Sequence, residues 1–409
     1  MEINQADLAT QEHNNNPISQ PTSTLMQTLK PKQKSKKQAL LELTAISGEY
    51  PADNIHQLIP ASSYVKKLVI DLVNEKQLKL VSNGGMKGYR LDYKGKRKLL
   101  EENPDRFKIF LEGGSETNRA RDNFARRLRL RSLAEVYTIM YNTGTQIFQD
   151  MKPNIYFADA PSQSTNKDIN NEQFQFNTNI HSYFYSSREL KGGDDKYNAI
   201  RGSRAAGIFI TPENVYAMYN AGNSEPRWNF KTEKRFMDEI QFHICQGLLH
   251  GQYNRKVISG ILIGENIEML NKYLSYEAKQ KSNFKFLTNT YQPLYYITND
   301  IYGIAQLKLL CDETRLSAFK KSLLAKFHSP DIKYPIEHDA LMGDKFVLFC
   351  CLLDIPRLHR FRKSLKAHGR KAKVLAFDFQ IKMLTKYFGE EVELISYKFE
   401  KFNELFPSD

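Results

Sequence analysis

One contiguous segment, residues 38–110, most constrains what this chain can fold into. Three short stretches have apolar residues at helical spacing: 38–46, 52–59 and 63–76. Two strand-like runs follow them: 78–81 and 89–93. Between these runs, Gly84 and Gly85 tolerate the positive φ angles of a tight turn, so we expect a β-hairpin. A basic helix is expected from Lys94 onward.

This order of three helices and a hairpin is typical of a winged helix. In that fold the outer face of the third helix contacts base edges in the major groove, and the hairpin contacts the flanking phosphates. A winged helix that makes protein contacts is the alternative. The third helix is expected to turn five side chains inward: Val65, Leu68, Val69, Leu72 and Val73.

The predicted DNA-binding residues fall into three groups. Those on the outer face of the third helix are Ser62, Lys66 and Lys67. Those on the hairpin and the next helix, expected to hold phosphates, are Lys87, Arg90, Lys94 and Arg97. A later arginine-rich stretch adds Arg126 and Arg127, because the guanidinium fork matches phosphate oxygens.

The overall charge supports a polyanionic partner. The 409 residues carry a net charge of +13, and nucleic acid is the first candidate for such a basic protein. A merely lysine-rich surface is the alternative. The densest cationic stretch, Arg357–Lys373, predicts either a second DNA or RNA contact or an exposed lysine-rich helix. No G-x-x-x-x-G-K-[ST] motif occurs, which disfavours nucleotide triphosphate hydrolysis.

Composition along the chain divides it into four segments. Residues 1–37 are polar and then basic, and we expect a disordered arm. Residues 38–111 form the winged-helix domain, and residues 112–150 an arginine-rich linker helix. In residues 151–409 strand and helix patterns alternate, with a helix expected over Asp344–Leu353. The predicted fold is α/β (α+β): an N-terminal winged helix followed by a larger mixed-sheet α/β domain, with a possible subdivision near residue 330.

A second pattern points to metal-dependent chemistry. Glu189 and Lys191 follow a strand candidate, and Glu-x-Lys at a strand end is half of the PD-(D/E)xK nuclease pattern. Asp159 at the end of an earlier strand candidate, and Glu135 on the preceding helix, would complete the catalytic set. Asp159 and Glu189 would then hold Mg²⁺, and Lys191 would polarise the attacking water. An ordinary ion pair at the strand end is the alternative reading.

The remaining composition bears on compartment and partners. The four cysteines lack C-x-x-C spacing and predict buried thiols in a reducing compartment: Cys245, Cys311, Cys350 and Cys351. The longest apolar run is too short to cross a bilayer, and the N-terminus lacks the apolar core of a signal peptide. We therefore expect a cytoplasmic protein without membrane contact.

Three segments resemble a known family: Ala134–Gly144, Ser187–Lys191 and Ser203–Gly207. With the preceding winged helix they are similar to the replication-relaxation proteins of plasmids and conjugative elements of Gram-positive bacteria. The resemblance implies a sequence-specific double-stranded DNA-binding protein in plasmid replication control or conjugative transfer. A homodimer and proteins of the replication or transfer machinery are expected partners. Two alternatives remain: a Mg²⁺-dependent nuclease or relaxase, and a transcriptional regulator with a ligand-sensing or dimerisation domain.

Overall fold

The computed structural model describes ten stretches of the chain: residues 35–60, 62–113, 117, 123–153, 182–191, 202–224, 229–242, 258–276, 290–328 and 336–405. The predicted mixed α/β fold is confirmed, with helices and three β-sheets in the described residues. Lys36 and Lys37, at the end of the predicted disordered arm, are described and begin a helix. Residues 1–34 of that arm and Asp159 lie outside the described residues. So do the side chains of Ser62 and Lys191, whose backbones are described as helical.

The N-terminal part follows the predicted order of elements. Its helices and strands are α1 (Lys36–Ser47), β1 (Tyr50–Pro51), α2 (Ile55–Leu58), α3 (Ser62–Asn74), β2 (Leu78–Asn83) and β3 (Met86–Leu91). The strands form an antiparallel sheet in the order β1-β3-β2. Gly84 and Gly85 turn the hairpin with φ angles of 58° and 79°, which only glycine adopts at little cost. Assignment of this part to the winged-helix fold stays a prediction.

Three helices connect this part to the rest: α4 (Tyr93–Glu102), α5 (Pro104–Leu111) and α6 (Phe124–Asn142). Each begins at a polar side chain that accepts a hydrogen bond from a backbone N–H of the first turn, as N-caps do: Asp92, Asn103 and Asn123. Helix α6 lies in the stretch predicted to be a linker, yet its second half is buried. It is therefore part of the core.

A six-stranded mixed sheet forms the middle layer. Its strands are β4 (Tyr183–Ser186), β5 (Ala205–Ile210), β6 (Val215–Gly222), β7 (Ser259–Gly264), β8 (Leu294–Thr298) and β11 (Leu353–Asp354). Their order is β11-β8-β7-β6-β5-β4, with β6, β7 and β8 parallel and the other pairs antiparallel. The helices between them are α7 (Ser187–Lys191), α8 (Phe230–Glu239), α9 (Glu268–Tyr276), α10 (Ile301–Cys311) and α11 (Glu313–Leu324).

A second, four-stranded sheet lies towards the C-terminus. It contains β9 (Ala340–Met342), β10 (Lys345–Phe349), β12 (Ala372–Phe377) and β13 (Val392–Tyr397), in the order β13-β12-β10-β9. Helices α12 (Ile355–His368), α13 (Asp378–Phe388) and α14 (Phe399–Leu405) accompany it. The predicted helix over Asp344–Leu353 is wrong, because half of this run is strand β10 and none of it is helical. A short apolar run that is buried on both faces carries no period that separates strand from helix.

Both faces of the six-stranded sheet are covered by apolar side chains. On one face, Phe184 and Met218 share a core with Tyr50 and Leu72 of the N-terminal part. On the other face, a separate core joins the sheet to the second sheet and its helices. Residues from Lys36 onward consequently form one compact unit. Within the described residues, no helix is long and apolar enough to cross a membrane.

Candidate nucleic-acid interface

The outer face of helix α3 is defined by its burial pattern. Leu68, Val69 and Leu72 are buried against the core. On the opposite side lie four exposed residues at the spacing i, i+4, i+7 and i+11: Ser63, Lys67, Ile70 and Asn74. At 3.6 residues per turn these four positions form one stripe along the helix. We call this stripe the outer stripe.

Sequence reasoning identified only part of this surface. Lys66 and Lys67 are exposed on α3, as expected for groove-facing residues. Val73, predicted to face inward, is 36% exposed, so that expectation is wrong. It lies at the border between the buried and the outer faces, where spacing alone does not decide orientation. Ile70 and Asn74 were missed, although the same helical period that identifies the buried residues would have found them.

The hairpin carries one exposed and one buried member of the predicted set. Lys87 lies in β3 near the turn and is exposed. Arg90 is only 4% exposed, and its guanidinium lies 2.7 Å from Glu49 Oε2. The expectation that Arg90 holds a phosphate is therefore wrong, because its charge is already paired inside the protein.

Arg127 occupies an even more enclosed position. It is 1% exposed, and its Nη2 donates to Glu49 Oε1 at 2.6 Å. The same guanidinium donates to three hairpin carbonyl oxygens, those of Val81, Asn83 and Met86. Because the protein encloses the Arg127 guanidinium, none of its N–H groups is directed towards solvent. The predicted phosphate contact by Arg127 is therefore also wrong. Arg127 instead ties the hairpin tip to helix α6.

Gly88 permits this close packing, and Gly84 shows where the hairpin tip lies. A Cβ atom at Gly88 would lie 2.6 Å from Glu49 Oε1, so any side chain there would displace the carboxylate. At Gly84 a Cβ atom would touch the Phe124 ring at 3.5 Å, which is ordinary contact. The hairpin tip thus lies beside the first turn of α6, where Phe124 and Leu128 remain exposed.

The other predicted phosphate contacts lie on helix surfaces. Lys94 is exposed in the first turn of α4. Arg97 is exposed one turn later, 3.4 Å from Glu101 in an i, i+4 pair. Exposed pairs of this kind contribute little to stability, so Arg97 can exchange its partner. Arg126, in the first turn of α6, is half-buried.

The predicted nuclease carboxylate Glu189 is engaged within the protein. Its Oε1 lies 2.5 Å from Lys152 Nζ, and both side chains are buried. Its Oε2 accepts from the backbone N–H of Ser186 at 2.8 Å and from the Ser186 hydroxyl at 2.9 Å. Because both oxygens already have donors, this environment does not fit a Mg²⁺ ligand. It matches the alternative of an ion pair at a strand end.

Glu135, the other glutamate of the predicted catalytic set, contacts different residues from those around Glu189. It lies 3.4 Å from Arg131 Nε and accepts from Asn220 Nδ2 at 3.0 Å. Burial raises the pKa of the Glu135 carboxyl. Glu135 and Glu189 have separate partners. Among the described residues, no cluster of three or more acidic, histidine or cysteine side chains could hold a metal ion.

The cationic stretch Arg357–Lys373 is paired at its two ends. Arg357 contacts Glu337 and Asp339, and Lys373 lies 2.8 Å from Glu393. Between them, four exposed cations make no ion pair within the described residues: Lys363, Lys366, Arg370 and Lys371. The prediction of a second nucleic-acid contact therefore applies only to these four.

Two of the cysteines meet the expectation of buried thiols. Cys350 and Cys351 are buried, and burial raises the pKa of the Cys350 thiol to about 12. Cys311 is less enclosed, but burial still raises its pKa, to about 11. Thiols that remain protonated at neutral pH are poor nucleophiles. Cys245 lies outside the described residues.

Comparison with known proteins leaves the family resemblance a prediction. Neither family models, nor curated proteins, nor solved structures give a match to this chain.

Proposed function

We propose that this protein binds double-stranded DNA in a sequence-specific way through α3 and the β2–β3 hairpin. The observation that carries the proposal is a helix face and an adjacent hairpin with solvent-exposed, unpaired cations. Lys66 and Lys67 on α3, with Lys79 and Lys87 on the hairpin, are exposed and make no ion pair within the described part of the chain. Such a surface suits the phosphate backbone.

The dimensions of helix α3 suit the same partner. It has 13 residues, which at 1.5 Å per residue corresponds to about 20 Å. The major groove of B-DNA is about 12 Å wide and admits one α-helix. The outer stripe would face base edges, while Lys66 and the hairpin lysines would contact phosphates. Arg90 and Arg127 have no part in this contact set.

The biological setting of the proposal depends on the family resemblance alone. On that basis the bound site would lie on a mobile genetic element, and the protein would act in replication control or conjugative transfer. Its partners would include replication or transfer proteins, and a second copy of the chain. The nuclease alternative gains no support from Glu189, whose two oxygens are occupied by Lys152 and Ser186.

The test is a binding experiment with matched lysine pairs. Duplexes are selected from a random pool with the full-length protein, and the affinity for the enriched duplex is measured by fluorescence anisotropy over a range of salt concentrations. Lys66→Ala with Lys67→Ala should weaken binding at least about tenfold and reduce the salt slope by about 1, since Lys66 contacts a phosphate and each phosphate contact contributes about 0.9. The control is Lys382→Ala with Lys386→Ala, two exposed lysines on α13.

Two outcomes decide the proposal. Loss of affinity in the α3 variant, with the α13 control unchanged, supports α3 as the reading helix. Equal affinities and salt slopes in all three proteins, or no enrichment of any duplex, would contradict the proposal.

A further inference from the structure

Ile70 is the apolar member of the outer stripe. Its side chain is 58% exposed although isoleucine gains free energy on burial. Since Leu68, Val69 and Leu72 fill the inner face of α3, Ile70 is not needed for the core. Its β-branched side chain has restricted rotamers, so the helix presents it in a nearly fixed direction.

Most neighbours of Ile70 on the helix surface are polar. Residues three and four positions apart are adjacent on a helix, which places Lys66, Lys67, Val73 and Asn74 around Ile70. All four are exposed, but Val73, at the border with the buried face, is less exposed (36%) than Ile70 (58%). The lysines can donate to phosphates or to guanine, and the amide of Asn74 can pair with adenine. Ile70 can do neither, because it has no hydrogen-bonding group.

The major groove offers one apolar feature that suits such a side chain. This is the 5-methyl group of thymine, which amino acids recognise by apolar contact. We infer that Ile70 is a specificity-determining residue that contacts one or two thymine methyl groups, so that the target site contains thymine opposite the centre of α3. The inference rests on the proposed function, because it requires α3 to enter the major groove.

The test removes the methyl group without changing base pairing. In the duplex enriched from a random pool, each thymine is replaced in turn by deoxyuridine, and the affinity of the full-length protein is measured. Loss of a buried methyl group should weaken binding about threefold to fivefold at one or two positions and have little effect elsewhere. Ile70→Ala should weaken binding to the thymine duplex and make those positions insensitive to deoxyuridine.

A matched control comes from elsewhere in the chain. Ile301 on α10 is also strongly exposed, so Ile301→Ala removes the same atoms from a different helix. It should keep the full deoxyuridine effect. Both residues are exposed, so both variants are expected to fold, and circular dichroism checks this.

The outcomes separate this inference from the proposed function. If a sequence is enriched but the deoxyuridine effect is absent, or persists in Ile70→Ala, the role of Ile70 is refuted and DNA binding stands. If no sequence is enriched and no duplex is bound, the proposed function fails and the inference fails with it. If the deoxyuridine effect disappears in Ile70→Ala but remains in Ile301→Ala, the contact between Ile70 and the thymine methyl group is established.

Discussion

Arg127 on α6 and Glu49, the residue before β1, form a buried ion pair, with Nη2 and Oε1 2.6 Å apart. The same carboxylate lies 2.7 Å from Arg90 of the hairpin. One acidic side chain therefore joins three segments that are far apart in the sequence. Since α6 is anchored in the core by its second half, the orientation of the hairpin is coupled to the core of the protein.

Loss of this carboxylate should destabilise the protein strongly. Glu49→Gln leaves two buried guanidinium groups without their counter-ion, and breaking a buried ion pair costs about 3–5 kcal/mol. We expect a decrease of that size in the free energy of unfolding, measured by urea denaturation. The control is Glu75→Gln, which removes an exposed pair with Lys37 and should change stability by less than about 1 kcal/mol. Equal denaturation midpoints for both variants would contradict this role.

The hairpin allows a direct comparison of an exposed and a buried cation. Lys87→Ala should lower DNA affinity and reduce the salt slope by about 1, while leaving the denaturation midpoint unchanged. Arg90→Ala should lower the midpoint, because Glu49 loses one of its two buried guanidinium partners. Anisotropy titration and urea denaturation of the same preparations provide both values. The comparison fails if Lys87→Ala destabilises the fold, or if Arg90→Ala alters only the salt slope.

Local patterns in the sequence predicted much of the fold. Helix α3 and the hairpin follow from helical spacing and from two adjacent glycines, which act over a few residues. The arginines were misassigned because charge alone does not show whether a guanidinium faces solvent. Arg127 and Glu49 are separated by 78 positions in the chain. No spacing rule connects such a pair.

The assignment of Glu189 shows a signal that was present but missed. Ser186 and Glu189 stand three residues apart at the start of α7, which is the spacing of a capping box. The backbone N–H of Ser186 donates to Glu189, and the backbone N–H of Glu189 donates to the Ser186 hydroxyl at 3.3 Å. A local capping role could thus have been predicted, whereas the pairing with the distant Lys152 could not.

A structural role for Glu189 has a measurable consequence. Glu189→Gln removes the counter-ion of the buried Lys152 ammonium, so unfolding should become easier by about 3–5 kcal/mol. Glu213→Gln, an exposed carboxylate in the turn between β5 and β6, should change stability little. Thermal and urea denaturation measure the difference. If Glu189→Gln is as stable as the control, the carboxylate is not needed for the fold, and that result would favour a functional role for Glu189.

Asp354 should make stability depend on pH. It is the N-cap of α12, and burial raises its pKa from the ordinary 3.8 to about 6. Between these values the folded state binds more protons than the unfolded state, so the stabilisation is complete below the unfolded pKa and is lost as pH rises through the folded pKa. The loss amounts to at most about 3 kcal/mol, at 1.36 kcal/mol for each pKa unit.

The neutral analogue isolates this effect. Asp354→Asn keeps a capping oxygen but cannot ionise, so it should lose none of this stability as the pH rises. The variant should gain stability relative to the wild type between about pH 4 and about pH 7, measured as the difference in free energy of unfolding by urea denaturation. A difference that is constant over this range would show that the Asp354 pKa is not raised in the folded protein. A difference that changes in the opposite direction would show that the ionised form is the one stabilised by the backbone N–H groups of Leu294 and Arg357.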